Sequence, residues 1–528
     1  MRGRAAKILL SLLALSLLVS ACGDEEGNKA VTERAQATAS EEESTGTWTV
    51  LVYLCGSDLE SEDGMASWNL EEMCDAPASD KVNVVIETGG ADSWERDDID
   101  PSVLQRFALQ DGELVLQDEL PSASMGEADT LADFLTWGAE TYPAEQTAVI
   151  LWDHGGANAE GVCYDKRYDW DPLTREELTE AFSEAPVTFD LIGFDACLMG
   201  SLETAVALQD AGEVLVASEE TEPGYGWDYT ALLSALAENS DLSAASLGQV
   251  ICDSFLAKCE SWDVADQATL SVIDLAAIPQ VDEAFFAYAG GMAKVSENMG
   301  TLAETAAAAR HAETFGGSTA WEGYSNMLDL TDLVQKTKDA VPADLDPLLA
   351  SLDGAILYEV HGDGRDAAEG LSVFYPLDVT EEEFSAYAAS SENVPYLQYL
   401  AAVTGNYDTI DWTLAWEDLD QGEVETGGSE TDSIAAVIAS LQDELIGLAP
   451  PRRTRRFPMS RPWTRTGIST LRSPGAMTAW SRSTFFCTMH PGPRRMTPAR
   501  RWSTSGRTTT WTRTGRPGAS RTALRETG

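Results

Sequence analysis

Residues 147–155 read T-A-V-I-L-W-D-H-G, and residues 189–200 read F-D-L-I-G-F-D-A-C-L-M-G. Each is an apolar, β-prone run that stops at a reactive side chain, His154 in the first and Cys197 in the second. Between them, Leu173, Leu178, Ala181 and Phe182 recur at helical spacing, which predicts a helix over 172–185. Strand, helix, strand is a βαβ unit, and its two strands run parallel. Parallel strands end at one edge of a sheet, so the imidazole and the thiol face one crevice, where open α/β sheets place their ligands. The chemistry offered by that pairing is a cysteine nucleophile with a histidine base.

Outward from this unit the pattern repeats. Buried-type strands are expected at 50–54, 82–88, 214–218, 268–273, 355–360 and 370–375, and a hairpin at 103–109 and 113–117 turning on Asp111-Gly112. Helical periodicity covers 65–73, 128–140, 201–210, 229–237, 245–260, 284–295, 302–311 and 325–338, and Gly56–Glu60 reads as a loop. Strands alternating with helices predict a three-layer α/β sandwich, a mostly parallel sheet with helices on both faces.

Nucleophilic attack needs the thiolate, and a free thiol titrates near about 8.5. A helix expected to start just after Cys197 offers its positive end to that anion. Gly155, beside His154, has no side chain where backbone must approach a substrate, and its N–H with that of Cys197 forms a candidate oxyanion hole. The bland reading of a lone apolar-flanked cysteine is an inert core residue; the histidine strand is what speaks against it. Asp153 adjoins His154, but neighbours on a strand point to opposite faces, so it is left out of the site. His361, in a Gly/Asp loop, and His311, ending a helix, both read as surface residues. Glu219, Glu220 and Asp228 flank the loop after 214–218 and read equally as solvated surface or substrate contacts.

The ends of the chain differ from its body. Arg2, Arg4 and Lys7 precede a short apolar run at 8–19, the layout of a signal peptide. Val19-Ser20-Ala21-Cys22 resembles a bacterial lipobox, which implies cleavage before Cys22 and lipid on its sulfur. Residues 23–46 are rich in Glu, Ser, Thr and Ala and read as a solvated tether. From residue 451 onward come 17 of the 34 basic residues and one of the 88 acidic ones, so the body is strongly acidic. Such a body repels nucleic acid and attracts cationic peptides or divalent ions. The Arg-, Thr- and Pro-rich tail at 450–528 lacks apolar periodicity, is expected to be disordered, and reads as a shifted reading frame. Domain limits are therefore expected at 1–22 (signal), 23–46 (tether), 47–410 (catalytic domain), 411–449 (acidic extension) and 450–528 (tail). Among the body's six cysteines no metal-type C-x-x-C pair occurs, and four histidines in all make zinc an unexpected cofactor.

W-T-V-L-V-Y-L-C-G-S-D-L-E (48–60), I-L-W-D-H-G-G (150–156), F-D-A-C-L-M-G (194–200) and S-E-E-T-E-P-G-Y-G-W (218–227) occur in order. Together they resemble the clostripain family of cysteine peptidases, in the caspase-like clan with gingipains, legumains and separases. The resemblance runs from Trp48 to Pro376 and implies a caspase-like fold. It matches His154 and Cys197 to the family's catalytic dyad. It implies cleavage after Arg or Lys, with Asp195, two residues before the nucleophile, as the acid of the P1 pocket; a carboxylate there suits a guanidinium or ammonium group. The alternative is that Asp195 only caps the turn after its strand. The family also implies self-cleavage in a loop, for which Lys166-Arg167 is the candidate, and calcium in some members. Asp165, Asp169 and Asp171 are the acids available for calcium, though their spacing is no EF-hand loop and an acidic turn reads as well.

The expectation is an extracytoplasmic, membrane-tethered cysteine endopeptidase at a bacterial cell surface or in the periplasm. Its expected partners are peptides or proteins with a basic P1 residue, with no nucleic acid and no further cofactor, acting as a monomer. The rival reading is an idle surface lipoprotein that binds cationic peptides in the same acidic crevice. A third is a hydrolase of the same clan with non-basic specificity.

Overall fold

The first strand, β1 (Trp48–Cys55), is buried along its whole length. Its side chains alternate between two cores: Val50, Val52 and Leu54 enter one, Leu51, Tyr53 and Cys55 the other. A strand covered on both faces must lie inside a sandwich. The computed structural model, which describes residues 46–157, 161–319 and 323–406, shows that sandwich in full.

After β1 come α1 (Ser57–Asp63), α2 (Met65–Asp75), β2 (Val82–Gly89), the hairpin β3 (Leu104–Gln110) and β4 (Glu113–Leu120), α3 (Ala128–Thr141) and β5 (Gln146–Trp152). A second hairpin, β6 (Val162–Asp165) and β7 (Asp171–Leu173), precedes α4 (Arg175–Glu184), β8 (Phe189–Asp195), α5 (Leu202–Leu208) and β9 (Gly212–Ala217). Then follow α6 (Tyr229–Glu238), α7 (Ala244–Ser261), β10 (Thr269–Asp274), α8 (Ile278–Val295) and α9 (Met299–Ala309). Short strands β11 (Thr314–Phe315), β12 (Ser318–Thr319), β13 (Gly323–Tyr324) and β14 (Met327–Asp329) lead to α10 (Leu330–Thr337) and α11 (Asp346–Ala355). The described chain closes with β15 (Ile356–His361), β16 (Ser372–Phe374), α12 (Glu381–Ser390) and α13 (Val394–Thr404).

Nine strands form the central sheet in the order β15-β10-β9-β8-β5-β1-β2-β3-β4. The five inner strands, β9 to β2, run parallel; the two on either side are antiparallel. Helices α2, α6 and α7 cover one face, and α3, α4, α5 and α8 the other. The Asp111-Gly112 turn takes positive φ at both residues (51° and 79°), which is what a two-residue hairpin turn demands.

Six expectations need correction. Gly56–Glu60 is not a loop, because α1 begins at Ser57. Residues 172 and 173 belong to β7, and α4 starts at Arg175 behind a capping box of Thr174 and Glu177. Residues 327–329 pair as β14 before α10 starts at its Asp329 cap, and 372–374 join β14 and β11 rather than the central sheet. His361 ends β15 rather than sitting in a loop. The helix after Cys197 starts only at Leu202, with Ser201 as its cap, because Leu198 turns through φ 64° and breaks the path. Its positive end therefore does not adjoin the thiol. The signal peptide, Cys22, the tether, the acidic extension and the Arg-rich tail lie outside the described residues.

Candidate active site

Strands β1, β5, β8 and β9 are parallel neighbours, so their carboxyl ends make one edge. Past that edge stand, in the same order, Asp58, His154, Cys197 and the segment 218–228. In register, Trp152 pairs with Asp195, and the Asp153 N–H reaches the Asp195 carbonyl at 3.4 Å. This brings the turns bearing His154 and Cys197 together. A Cβ on residue 155 would lie 2.1 Å from the Cys197 carbonyl oxygen and 3.1 Å from its nitrogen. Only glycine fits there, and the two expected oxyanion donors are thus backbone neighbours.

His154 Nε2 meets Asp58 Oδ1 at 2.6 Å. Burial alone would lower the imidazole's pKa, but Asp153, the Asp58 hydrogen bond and charge, and the Cys197 thiolate raise it to about 9. Asp58 is a third exposed; burial is the largest single influence and works against its ionisation, yet the bond to His154, the charge of that ring and the local hydrogen bonds together hold it below the usual carboxylate range. Asp153 is different. Burial lifts it to about 7, and its Oδ2 accepts the Tyr164 N–H at 2.6 Å rather than touching the imidazole. Asp153 is therefore partly neutral at physiological pH, and Asp58 is the firmer source of the histidine's charge.

Cys197 is 1% exposed. The Glu222 N–H points at its Sγ from 3.2 Å, and the Leu198 and Gly200 N–H groups bond the carbonyls of Glu220 and Ser218 at 3.1 and 2.7 Å. The segment after β9 thus runs alongside the Cys197 turn, and one of its amide dipoles does what the expected helix does not: it favours negative charge on sulfur.

Asp195 lines the same small cleft as Cys197, with Trp152, Glu222, Pro223, Gly226 and Leu59 around them. Its Oδ2 accepts the Trp227 N–H (3.0 Å) and the Tyr229 hydroxyl (2.9 Å). Burial raises its pKa to about 6 against these bonds and the nearby Lys258 charge. Glu222 gives one oxygen to the Trp227 indole N–H at 3.0 Å, while Oε1 finds no partner among the described residues. Burial, then the charges of Asp195, Cys197 and Cys259, push it well above the carboxylate range, so Asp195 carries the pocket's charge at neutral pH.

The sequence of the clostripain family matches this chain over residues 52–394, well over half its length. The chain belongs to the clostripain family. Clostripain from Hathewaya histolytica is 30% identical over 125 residues, 20% of this chain; the chain spans 24% of that relative's length. The X-ray structure of an inactive zymogen C11 protease from Parabacteroides distasonis matches with TM-score 0.50 and 19% identity, over 66% of this chain and 99% of that one. A secreted C11 cysteine protease from Bacteroides thetaiotaomicron, in complex with an irreversible peptide inhibitor, matches at TM-score 0.49 and 17% identity, over 70% and 99% of the two chains. The P. distasonis likeness gives this clostripain-family chain the caspase-like α/β fold.

The remaining candidates divide. Lys166 and Arg167 sit in a 3₁₀ turn at the tip of the β6–β7 hairpin; Lys166 Nζ bonds Glu62 at 3.1 Å, while Arg167 is exposed. Asp165 accepts the Met125 and Arg167 N–H groups, and Asp171 accepts from Ser124. No cluster of three potential metal ligands forms among the described residues. Glu219 accepts the Gly370 N–H, Glu220 pairs with Arg365, and Asp228 caps α6, so all three are tied into the fold. Asp58 is the residue that sequence reasoning passed over. Its signal was an acid three residues past a buried strand, within the quoted block 48–60, and recognising it required knowing that β1 adjoins β5. No described helix is long and apolar enough to cross a membrane.

Proposed function

We propose that this chain is an extracytoplasmic cysteine endopeptidase that cleaves after Arg or Lys, tethered to a membrane by lipid on Cys22. The observation that carries the reading is the single edge on which His154, held by Asp58 at 2.6 Å, adjoins the Cys197 turn, with Asp195 in the same cleft as Cys197.

In this mechanism the Cys197 thiolate attacks the scissile carbonyl carbon, and the new oxyanion is met by the N–H groups of Gly155 and Cys197. The C–N bond breaks as imidazolium His154 gives its proton to the leaving amine, which leaves a thioester. Neutral His154 then takes a proton from water, hydroxide adds, and the thioester collapses to carboxylate and thiol. Asp58 keeps the ring oriented and charged. Asp195, ionised above about 6, pairs with the P1 cation.

Cys197 is covered by 222 and its neighbours, so a substrate must shift that segment or meet a rearranged form. Self-cleavage after Arg167 or Lys166 is the proposed trigger, because this turn follows β6, whose Cys163 N–H bonds the His154 carbonyl at 3.1 Å. Calcium held by the acids of 165–171 would bear on the same turn.

The test is hydrolysis of matched fluorogenic peptides with Arg, Lys, Asp or Asn at P1, by wild type and Cys197→Ala. Cleavage after Arg or Lys that vanishes in Cys197→Ala is the expected result. Cleavage of none would favour the idle peptide-binding lipoprotein, and cleavage only after Asp or Asn would remove Asp195 from the pocket role. Mass spectrometry of the same samples checks the cut after 166 or 167 and the lipid on Cys22.

A further inference from the structure

Large aromatic side chains scattered singly on a surface are ordinary, but a contiguous, rigid group beside a cleft is a binding feature. Trp68 on α2 and Trp262 at the end of α7 are 39% and 49% exposed. They meet edge to face with centroids 5.7 Å apart, and Trp262 stacks on Tyr225 at 5.4 Å and 22°. Tyr225 stands between Gly224 and Gly226, which both line the cleft that holds Cys197 and Asp195. The ring group thus joins the cleft through the backbone at 224–226, with the Tyr225 hydroxyl buried and the two tryptophans exposed.

The platform is fixed from beneath. Lys258 Nζ donates to the carbonyls of Tyr225 (3.1 Å) and Trp227 (2.9 Å) and to Glu72 (2.8 Å). Glu72 also accepts the Trp68 indole N–H at 3.1 Å. Rings held in place before a ligand arrives lose little freedom on binding, which is how aromatic anchors contribute affinity.

We propose that Tyr225, Trp262 and Trp68 form a substrate subsite for an apolar side chain on the acyl side of the scissile bond, N-terminal to P1. The side follows from strand order. The leaving amine must reach His154 at the end of β5, and the segment bearing Tyr225 follows β9, on the other side of Cys197's strand β8. The inference rests on the peptidase reading above. It adds that preference is set by apolar side chains as well as by the P1 charge.

The experiment uses the full chain and Arg-P1 peptides that carry Leu, Phe, Gly or Asp at each of the three preceding positions and each of the two following ones. Wild type is expected to favour Leu or Phe over Gly about tenfold in kcat/KM at one preceding position. Trp262→Ala and Trp68→Ala should erase that preference while leaving the all-Gly peptide unchanged, and Trp262→Phe should restore most of it. An unaltered preference in Trp262→Ala, an equal loss on the all-Gly peptide, or an apolar preference only after the scissile bond would each overturn the proposal. So would a dimer in light scattering that Trp262→Ala dissociates, since that assigns the face to a second copy. Failure to cut any Arg or Lys peptide would instead sink the peptidase reading beneath it.

Discussion

The two flanks of Cys197 are built differently. On the β5 side, His154 is held by a partly exposed, ionised Asp58. On the β9 side, Asp195, Glu219 and Glu222 are buried acids, all pushed upward by burial. That flank is held by two cations from far along the chain. Lys258 spans the carbonyls of 225 and 227, and Arg365 joins Glu220 to Glu313 and the carbonyl of Thr314. Burial keeps Glu219 and Glu222 protonated and leaves Asp195 as that flank's charge at neutral pH, whereas the partly exposed acid beside the imidazole is ionised well below that. In the proposed mechanism one flank keeps the proton shuttle ready and the other keeps a cation site in shape.

That contrast can be broken one residue at a time. His154→Ala should cause the largest loss, a fall of about 10⁴-fold in kcat, read by peptide hydrolysis with circular dichroism as a control on folding. Lys258→Met leaves Glu72 and two carbonyls without their cation, and urea unfolding should show a loss of about 3 kcal/mol or more. Arg- and Lys-P1 cleavage should fall with it. Asp195→Asn keeps an acceptor for Trp227 and Tyr229 but removes the charge, so kcat/KM for Arg-P1 peptides should drop about 100-fold. In wild type the same kcat/KM should decline as pH falls through about 6, where Asp195 takes up its proton, and Asp195→Asn should lack that limb. The smallest effect is expected from Asp58→Asn, about tenfold in kcat. Its alkaline limb should move down from about 9, because the groups that raise His154 lose one member.

The sign for stability follows from the same histidine. Its folded pKa of about 9 exceeds the ordinary 6.5, so the stabilisation it brings is complete below the ordinary value and is lost as pH rises through about 9. Thermal unfolding from pH 6 to 10 in wild type and Asp58→Asn measures it, and the mutant should lose less across that range.

What could be read from the sequence is what is written locally. The buried strands at 48–55, 146–152 and 189–195 announce themselves by apolar runs that end at reactive residues, and order along the chain then places His154 and Cys197 on one edge. The β6–β7 hairpin was hidden because it pairs only Val162 with Leu173 and Asp165 with Asp171, and a polar turn fills it. The Thr174–Glu177 capping box marks where α4 begins, and the helix expected from residue 172 overran it. Lys258 and Arg365 left no mark. Their partners Glu72 and Glu220 lie 186 and 145 residues away, and no local pattern links such pairs. Asp58 falls between these cases: its position past β1 was visible, but its partner was set by which strand lies beside β1.

The proposed mechanism turns on Cys197 attacking a carbonyl held by a basic P1 residue. Its most direct test is to incubate the full chain with a peptidyl-arginine acyloxymethyl ketone and map the adduct by mass spectrometry. One adduct is expected, on Cys197, absent in Cys197→Ala and strongly reduced in Asp195→Asn. An adduct on Cys55, Cys163 or another thiol, or none on protein that cleaves Arg peptides, would contradict it.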